Sequence, residues 1–306
     1  MRRIVLTALI ILAASAALAA PTEWWLFAAQ LDSGDRVLIE VTLTDVGPGE
    51  RNAAAIGRWV QKDGTLVEFS RAKLGGEWTE SAGGRRMDLQ KFVLDRSAAR
   101  AQLRVDKGSL KLALDFALAE KPLATRKLAG RKWTHELWAG ANPVNASLWK
   151  KGMSAPIVTK GRIGVSHRLI TGPEGKLAAR RLESFALDRE PLYVLEVARG
   201  ARAERWVVAL DARGRVASQD FAEAASAEKL SAPSPKLALP GPAVTGALSA
   251  GTRLAAYDPL ADLPAPIRFV LGLRLRSAWM ASPLESVVGG NSRKRTAIAS
   301  YTFYAG

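Results

Sequence analysis

Three stretches of the chain alternate apolar and polar positions with a period of two. Leu110, Leu112, Leu114, Phe116 and Leu118 stand between Lys111, Ala113, Asp115 and Ala117. Val37, Ile39, Val41 and Leu43 alternate with Arg36, Leu38, Glu40 and Thr42, and Ile267, Phe269, Leu271, Leu273 and Leu275 alternate against Arg268, Arg274 and Arg276. A helix would scatter each set around its axis, whereas a strand puts each on one face, so the pattern predicts strands with one buried side. Between such runs lie Asp32-Ser33-Gly34-Asp35, Lys62-Asp63-Gly64, Asp106-Lys107-Gly108 and Asp211-Ala212-Arg213-Gly214. Asp supplies a side-chain acceptor and Gly the positive φ that tight hairpins need. Short hairpins make neighbours antiparallel, so the prediction is an all-β protein of barrel or sandwich type.

One helix is expected, over the Ala- and Glu-rich residues 220–230. Loop or linker follows at Ser231-Ala232-Pro233-Ser234-Pro235 and Pro240-Gly241-Pro242. A second break, at Gly152, Ser154 and Pro156, leaves enough strands on each side for two β domains, bounded here as 20–155 and 156–306. No internal repeat is visible.

Met1-Arg2-Arg3 precede an apolar run over residues 4–20 that only Thr7 and Ser15 interrupt and that ends in Ala17-Leu18-Ala19. This is the pattern of a secretory signal, so residues 1–19 are expected to be cleaved and the protein to be periplasmic. The run is short and Ala-rich for a membrane anchor. Cysteine is absent from the 306 residues, which excludes disulfides and thiolate chemistry. The formal charge is +15, of which Arg2 and Arg3 leave with the signal. Export and the absence of any nucleic-acid-binding motif argue against nucleic acid as the partner; a solvated cationic surface, or an anionic membrane surface, remains.

Only His135 and His167 could serve as imidazole ligands or bases, and their spacing makes no metal site. No phosphate loop or nucleophile elbow is present, and no cofactor is expected. Ser166 and His167 are adjacent, so on a strand they point to opposite faces and cannot form a nucleophile–base pair. Glu23-Trp24-Trp25-Leu26-Phe27 is unusual: alternation puts Glu23, Trp25 and Phe27 on one face and Trp24 and Leu26 on the other. An acid between aromatics can close a barrel end, or it can hold a shifted pKa and transfer a proton. His167, in Gly161-Arg162-Ile163-Gly164-Val165-Ser166-His167-Arg168-Leu169, is either a satisfied core residue or a proton-transfer group. Glu23, Glu183 and Asp188 are its candidate partners.

Taken together, the Glu23-Trp24-Trp25 opening, the β-rich halves and the strand ending at His167 resemble the two-domain lipocalin-like proteins related to carotenoid 1,2-hydratase, AttH and the survival-factor family. Asp262-Leu263-Pro264-Ala265-Pro266-Ile267-Arg268-Phe269 and Tyr301-Thr302-Phe303-Tyr304 are similar to the end of that group's second domain. Ser166 stands where hydratase-like members carry an acid, Leu169 or Ile170 where they carry Trp, and Leu182-Glu183-Ser184-Phe185 replaces a Trp-rich strand. The resemblance implies two packed lipocalin-like barrels with an apolar cavity or cleft for a lipid or isoprenoid. Such a guest would meet Trp24, Trp25, Phe27, Trp59, Glu183 and Trp206.

Three functions are open at this point. The protein binds or carries a hydrophobic molecule; or it is a hydratase, isomerase or cyclase in which His167 or Glu23 protonates an alkene; or it is an envelope adaptor that meets anionic lipid through residues such as Arg199, Arg202, Arg205, Arg293, Lys294 and Arg295. The oligomeric state is not readable.

Overall fold

The computed structural model describes residues 21–44, 51–81, 85–96, 99–130, 132–171, 177–225, 236–257 and 274–305. The signal segment, the Asp262–Phe269 motif and most of the strand expected over residues 267–275 lie outside them. The described residues form antiparallel strands in two curled sheets, the all-β architecture that the alternation predicts.

The first sheet contains β1 (Pro21–Leu31), β2 (Arg36–Thr44), β3 (Asn52–Val60), β4 (Leu66–Lys73), β5 (Thr79–Glu80), β6 (Arg86–Asp88), β7 (Phe92–Asp95), β8 (Arg100–Asp106), β9 (Leu110–Ala117), β10 (Ala124–Leu128), β11 (Trp133–Lys150) and β12 (Ile157–Thr171). Its order is β4-β3-β2-β1-β12-β11-β9-β8-β7-β6-β5, with β10 also on β11. The second contains β13 (Arg180–Ala186), β14 (Leu192–Arg199), β15 (Arg202–Leu210), β16 (Val216–Ala225), β17 (Lys236–Ala238), β18 (Val244–Ser249), β19 (Thr252–Tyr257), β20 (Arg274–Val288) and β21 (Asn291–Ala305). Its order is β16-β15-β14-β13-β21-β20-β18-β17, with β19 on β20. The two orders share one plan, with twelve strands in the first and nine in the second among the described residues: a four-strand meander whose first strand is joined by the last strand of its half, which leads into a long hairpin. The halves are therefore topological copies, which no sequence repeat discloses.

All four predicted turns are hairpin turns, with Gly34, Gly64, Gly108 and Gly214 at φ between 74° and 91°. The break at residues 151–156 is also a hairpin turn, β11 to β12, and β12 belongs to the first sheet, so that sheet runs on to Thr171. The helix expected over 220–230 is corrected where it is described: residues 220–225 are the end of β16, paired with β15 from Arg202 to Val207. Ala and Glu favour helix only by tenths of a kcal/mol per residue, less than a ladder of inter-strand bonds on an amphipathic edge can supply.

Each sheet wraps its own core. Trp25, Phe27, Val37, Ile39, Val41, Trp59, Leu112, Leu114, Phe116 and Val165 fill the inside of the first. Leu182, Val194, Val207, Leu248, Leu284 and Tyr301 lie inside the second. Between the sheets a third layer joins Trp24, Leu26, Leu137 and Trp133 to Phe185, Tyr193, Leu195, Trp206 and Trp279. Two glycines permit this close contact. A Cβ on Gly164 would lie 2.2 Å from the Phe185 ring, and one on Gly140 would lie 1.8 Å from Leu210 Cδ1.

Candidate active site at the mouth of the first barrel

Register places three residues in one row across the first sheet: Trp25 on β1 pairs with His167 on β12, which pairs with Glu136 on β11. Paired residues share a face, and this one is the inside of the barrel. Glu23 and Trp138 stand beside the row. Trp138 follows Glu136 by two positions on the same face, and the bulge in the β11–β12 ladder between Leu137 and Ala139 then brings Ala139 to that face as well, opposite Val165.

The His167 ring is clamped between two carboxylates. Its Nδ1–H donates to Glu136 Oε2 at 2.9 Å, and Nε2 lies 3.3 Å from Glu23 Oε1. The second contact has ion-pair distance without hydrogen-bond alignment, so Nε2 makes no hydrogen bond. The ring stacks on Trp25 with centroids 4.2 Å apart and planes at 22°. Trp25 Nε1–H donates to Glu23 Oε1 at 2.9 Å, and Trp138 Nε1–H donates to Glu136 Oε2 at the same distance. The site thus has two Glu-x-Trp units, Glu23–Trp25 and Glu136–Trp138, one on each side of His167. The Arg96 guanidinium lies 4.1 Å from the Trp25 ring centre. Two planar groups that close cannot share a face, so Trp25 is covered on both. Arg51 Nη2 reaches Glu23 Oε2 at 3.4 Å and also binds Glu80. The side chains of His167, Glu23 and Glu136 are 14%, 19% and 23% exposed at the barrel's end, while the His167 Nε2 atom itself is covered and faces Glu23.

Charge follows from this arrangement. Burial opposes a positive ring, but the hydrogen bond to Glu136 and the contacts with Glu23 outweigh it and raise the His167 pKa above its usual value. Burial likewise pushes Glu23 up, yet His167, Trp25 and Arg51 together bring it down to about 2. The hydrogen bond from His167, against burial, lowers Glu136. The two carboxylates therefore favour the protonated form of the ring between them.

The opposite face carries a second, sealed polar cluster between the sheets. Glu183 accepts hydrogen bonds from Ser166 Oγ, from Tyr193 Oη at 2.9 Å and from Arg181 Nη1 at 2.9 Å, and lies 3.2 Å from His135 Nε2. Trp133 Nε1–H points to His135 Nδ1 at 3.4 Å. Arg181 Nη2 continues to Glu40 at 3.3 Å and to Thr302 Oγ1 at 2.8 Å, while Arg168 lies over the Trp24 ring. Burial raises both carboxylates; His135, Arg181 and Ser166 hold Glu183 down at about 2, whereas Glu40 ends above its usual range despite Arg181. His135 and Glu183 are wholly inaccessible to solvent, which fits a role in fixing the two sheets together.

The structure therefore sorts the residues that sequence reasoning singled out. Glu23, Trp25 and Phe27 share the inner face with His167; Trp59 is also inside, bonded through Nε1 to Asp35 Oδ2 at 3.0 Å. Trp24, Glu183 and Trp206 lie in the layer between the sheets, away from His167. Of the three candidate partners of His167, only Glu23 reaches it; Glu183 goes to His135 and Asp188 to Arg295. Ser166 pairs with Leu26 and Leu137 on the outer side, so an acid at that position could not reach the imidazole of His167. Sequence reasoning missed Glu136, Trp138 and Arg96; the repeated Glu-x-Trp spacing was the available signal for the first two. Four of the basic residues considered for a membrane surface are ion-paired: Arg205 with Glu196, Arg293 with Glu190, Lys294 with Glu285 and Arg295 with Asp188. Among the described residues no cluster of metal-ligating side chains occurs, and no helix is long and apolar enough to cross a membrane.

No protein-family model and no curated protein sequence matches the chain. Solved structures do. A Nitrosomonas europaea protein described as an AttH superposes with a TM-score of 0.64 at 13% identity, over 93% of each chain. CghA gives 0.60 at 11% identity, over 94% of this chain and 89% of its own. Kievitone hydratase from Nectria haematococca gives 0.54 at 6%, over 94% and 90%. Over nearly its whole length, the chain has the two-barrel lipocalin-like fold of these proteins.

Proposed function

We propose that the protein is an acid–base enzyme, a hydratase, isomerase or cyclase, that protonates a carbon–carbon double bond of an apolar, isoprenoid-like molecule at the mouth of the first barrel. One observation carries this reading: His167 is clamped between Glu23 and Glu136, which favour its protonated form, with Nε2 left without a hydrogen bond. The Nδ1 proton is committed to Glu136, so the Nε2 proton is the one free to leave. Its transfer to an alkene carbon makes a carbocation beside two carboxylates and the Trp138 ring, groups that stabilise positive charge. Capture by water, with the surplus proton returning to Nε2, completes a hydration. Loss of a neighbouring C–H proton to Nε2 completes an isomerisation, and attack by a second double bond followed by loss of a proton from the new cation to Nε2 gives a ring. A hydratase and CghA share the fold, which is in keeping with this reading.

The test is deuterium uptake. Wild-type protein incubated in D2O with a panel of isoprenoid alkenes is expected to place one deuterium per protonation, read by mass spectrometry. His167→Ala is expected to lower the rate by about 10²-fold or more while remaining folded. Equal uptake by the folded variant would show the assignment to be wrong, and saturable binding of the alkenes without any uptake would favour the carrier function instead. The periplasmic location, which rests on residues 1–19, is part of the proposal. Protein recovered from the periplasm should begin at Ala20, and an intact Met1 would refute it.

A further inference from the structure

The topological equivalence of the two halves invites a comparison of their inner faces. At the strand triplet β1-β12-β11 the first barrel carries Trp25, His167 and Glu136. The equivalent triplet of the second, β13-β21-β20, carries Ser184, Ala299 and Met280 in one row, and Ala297 with Ser282 in the next. Ala186 pairs with Leu192, which pairs with Ala209. All lie on the face of Leu182, Val194 and Leu284, inside the barrel. The first barrel's inside also holds Phe27, Trp59, Phe69, Phe92 and Phe116, whereas the aromatic residues described inside the second are Tyr301 and Phe303.

Ser184 and Ser282 are completely buried, and the Oγ of each has no hydrogen-bond partner among the described residues. A serine hydroxyl can donate one bond and accept two, and burying it unused is unfavourable where alanine would have served. The two serines stand two strands and one same-face row apart, about 12 Å across the sheet, with only the methyl groups of Ala297 and Ala299 between them. The ionic groups that border this floor on the same face are paired: Arg295, one same-face position along β21 from Ala297, binds Asp188 and Ser286 Oγ, each at 2.9 Å, and Arg180 binds Glu196 at 2.6 Å.

We propose that the second barrel has a ligand site of its own, in which Ser184 and Ser282 hydrogen-bond the uncharged oxygen of a largely apolar molecule, an alcohol or carbonyl compound, lying over Ala297 and Ala299. The site is separate from His167 and does not depend on any reaction there. All-trans-retinol is a suitable probe, because its fluorescence reports burial and accepts energy from tryptophan. Ser184→Ala and Ser282→Ala should each weaken retinol binding by about fivefold, the worth of one neutral hydrogen bond, and the double variant by about 20-fold. Competition by dodecane, which has no oxygen, should be unchanged in these variants, and the melting temperature of the free protein should hold or rise. Ala299→Leu should abolish retinol binding, with Ala299→Val as a milder filling should the larger residue disturb folding. His167→Ala should bind retinol as the wild type does, which separates this site from the proposed reaction. Wild-type affinity in the double serine variant, equal weakening of alcohol and hydrocarbon, no retinol binding at all, or a crystal structure with retinol elsewhere and only water on the two hydroxyls would each overturn the proposal.

Discussion

Replacing Glu136 by Gln tests the electrostatics of the His167 site directly. Gln keeps the size of the side chain and an oxygen that can accept the Nδ1–H bond, but it removes the charge now 2.9 Å from the ring. An opposite charge at such range moves a pKa by about 1–3 units; Glu136 is open to water on one side, so the lower part applies, about 1–2 units or roughly 1.5–3 kcal/mol. In the wild type the folded pKa of His167 lies above the unfolded value near 6.5, so the stabilisation is full below that pH and is lost as pH rises through the folded pKa. The variant should therefore fall short of the wild type by about 1.5–3 kcal/mol more at pH 5.5 than at a pH above the wild type's measured His167 midpoint, where the ring is neutral in both. Urea unfolding at the two pH values measures the gap, and a histidine-selective NMR titration gives the midpoint itself, since His135 is the only other signal. A gap independent of pH, or a wild-type His167 midpoint below 6.5, would refute the reasoning.

Glu183→Ala should cost about 3–5 kcal/mol in thermal or chemical unfolding, because Arg181 and Arg168 would be left buried beside an empty position; a loss under 1 kcal/mol would mean that the cluster between the sheets is not a joint. Gly164→Ala should destabilise by about 1–3 kcal/mol, as its methyl group must displace the Phe185 ring; an unchanged melting temperature would contradict the close approach. Acid should act through Glu23 and Glu183, both held near 2 in the fold. Their contribution is complete above the unfolded carboxylate pKa near 4.5 and disappears as pH falls towards 2. Stability that stays flat from pH 5 to pH 2.5 would argue against both pairings.

Local sequence determined the strands and their turns. Alternation at Leu110–Phe116 and Val37–Leu43, and the four Asp/Gly turns, fix period and hairpin pairing without reference to the rest of the chain. Alternation also separated Glu23 and Trp25 from Trp24, and His167 from Ser166, correctly, because the pleat leaves no choice of face within one strand. Residues 220–225 misled for the converse reason: the local preference there is weak, and pairing with β15 decides. Which residues meet across strands was not written locally. Glu136 lies 31 positions from His167 and reaches it only because β11 and β12 pair in one register. Glu183 was a plausible partner by type, but it belongs to the other sheet and faces His135. Periodicity fixes a face and a pairing partner in a hairpin; only the closing of β12 against β1, and the packing of one sheet on the other, decides which acid stands beside which histidine.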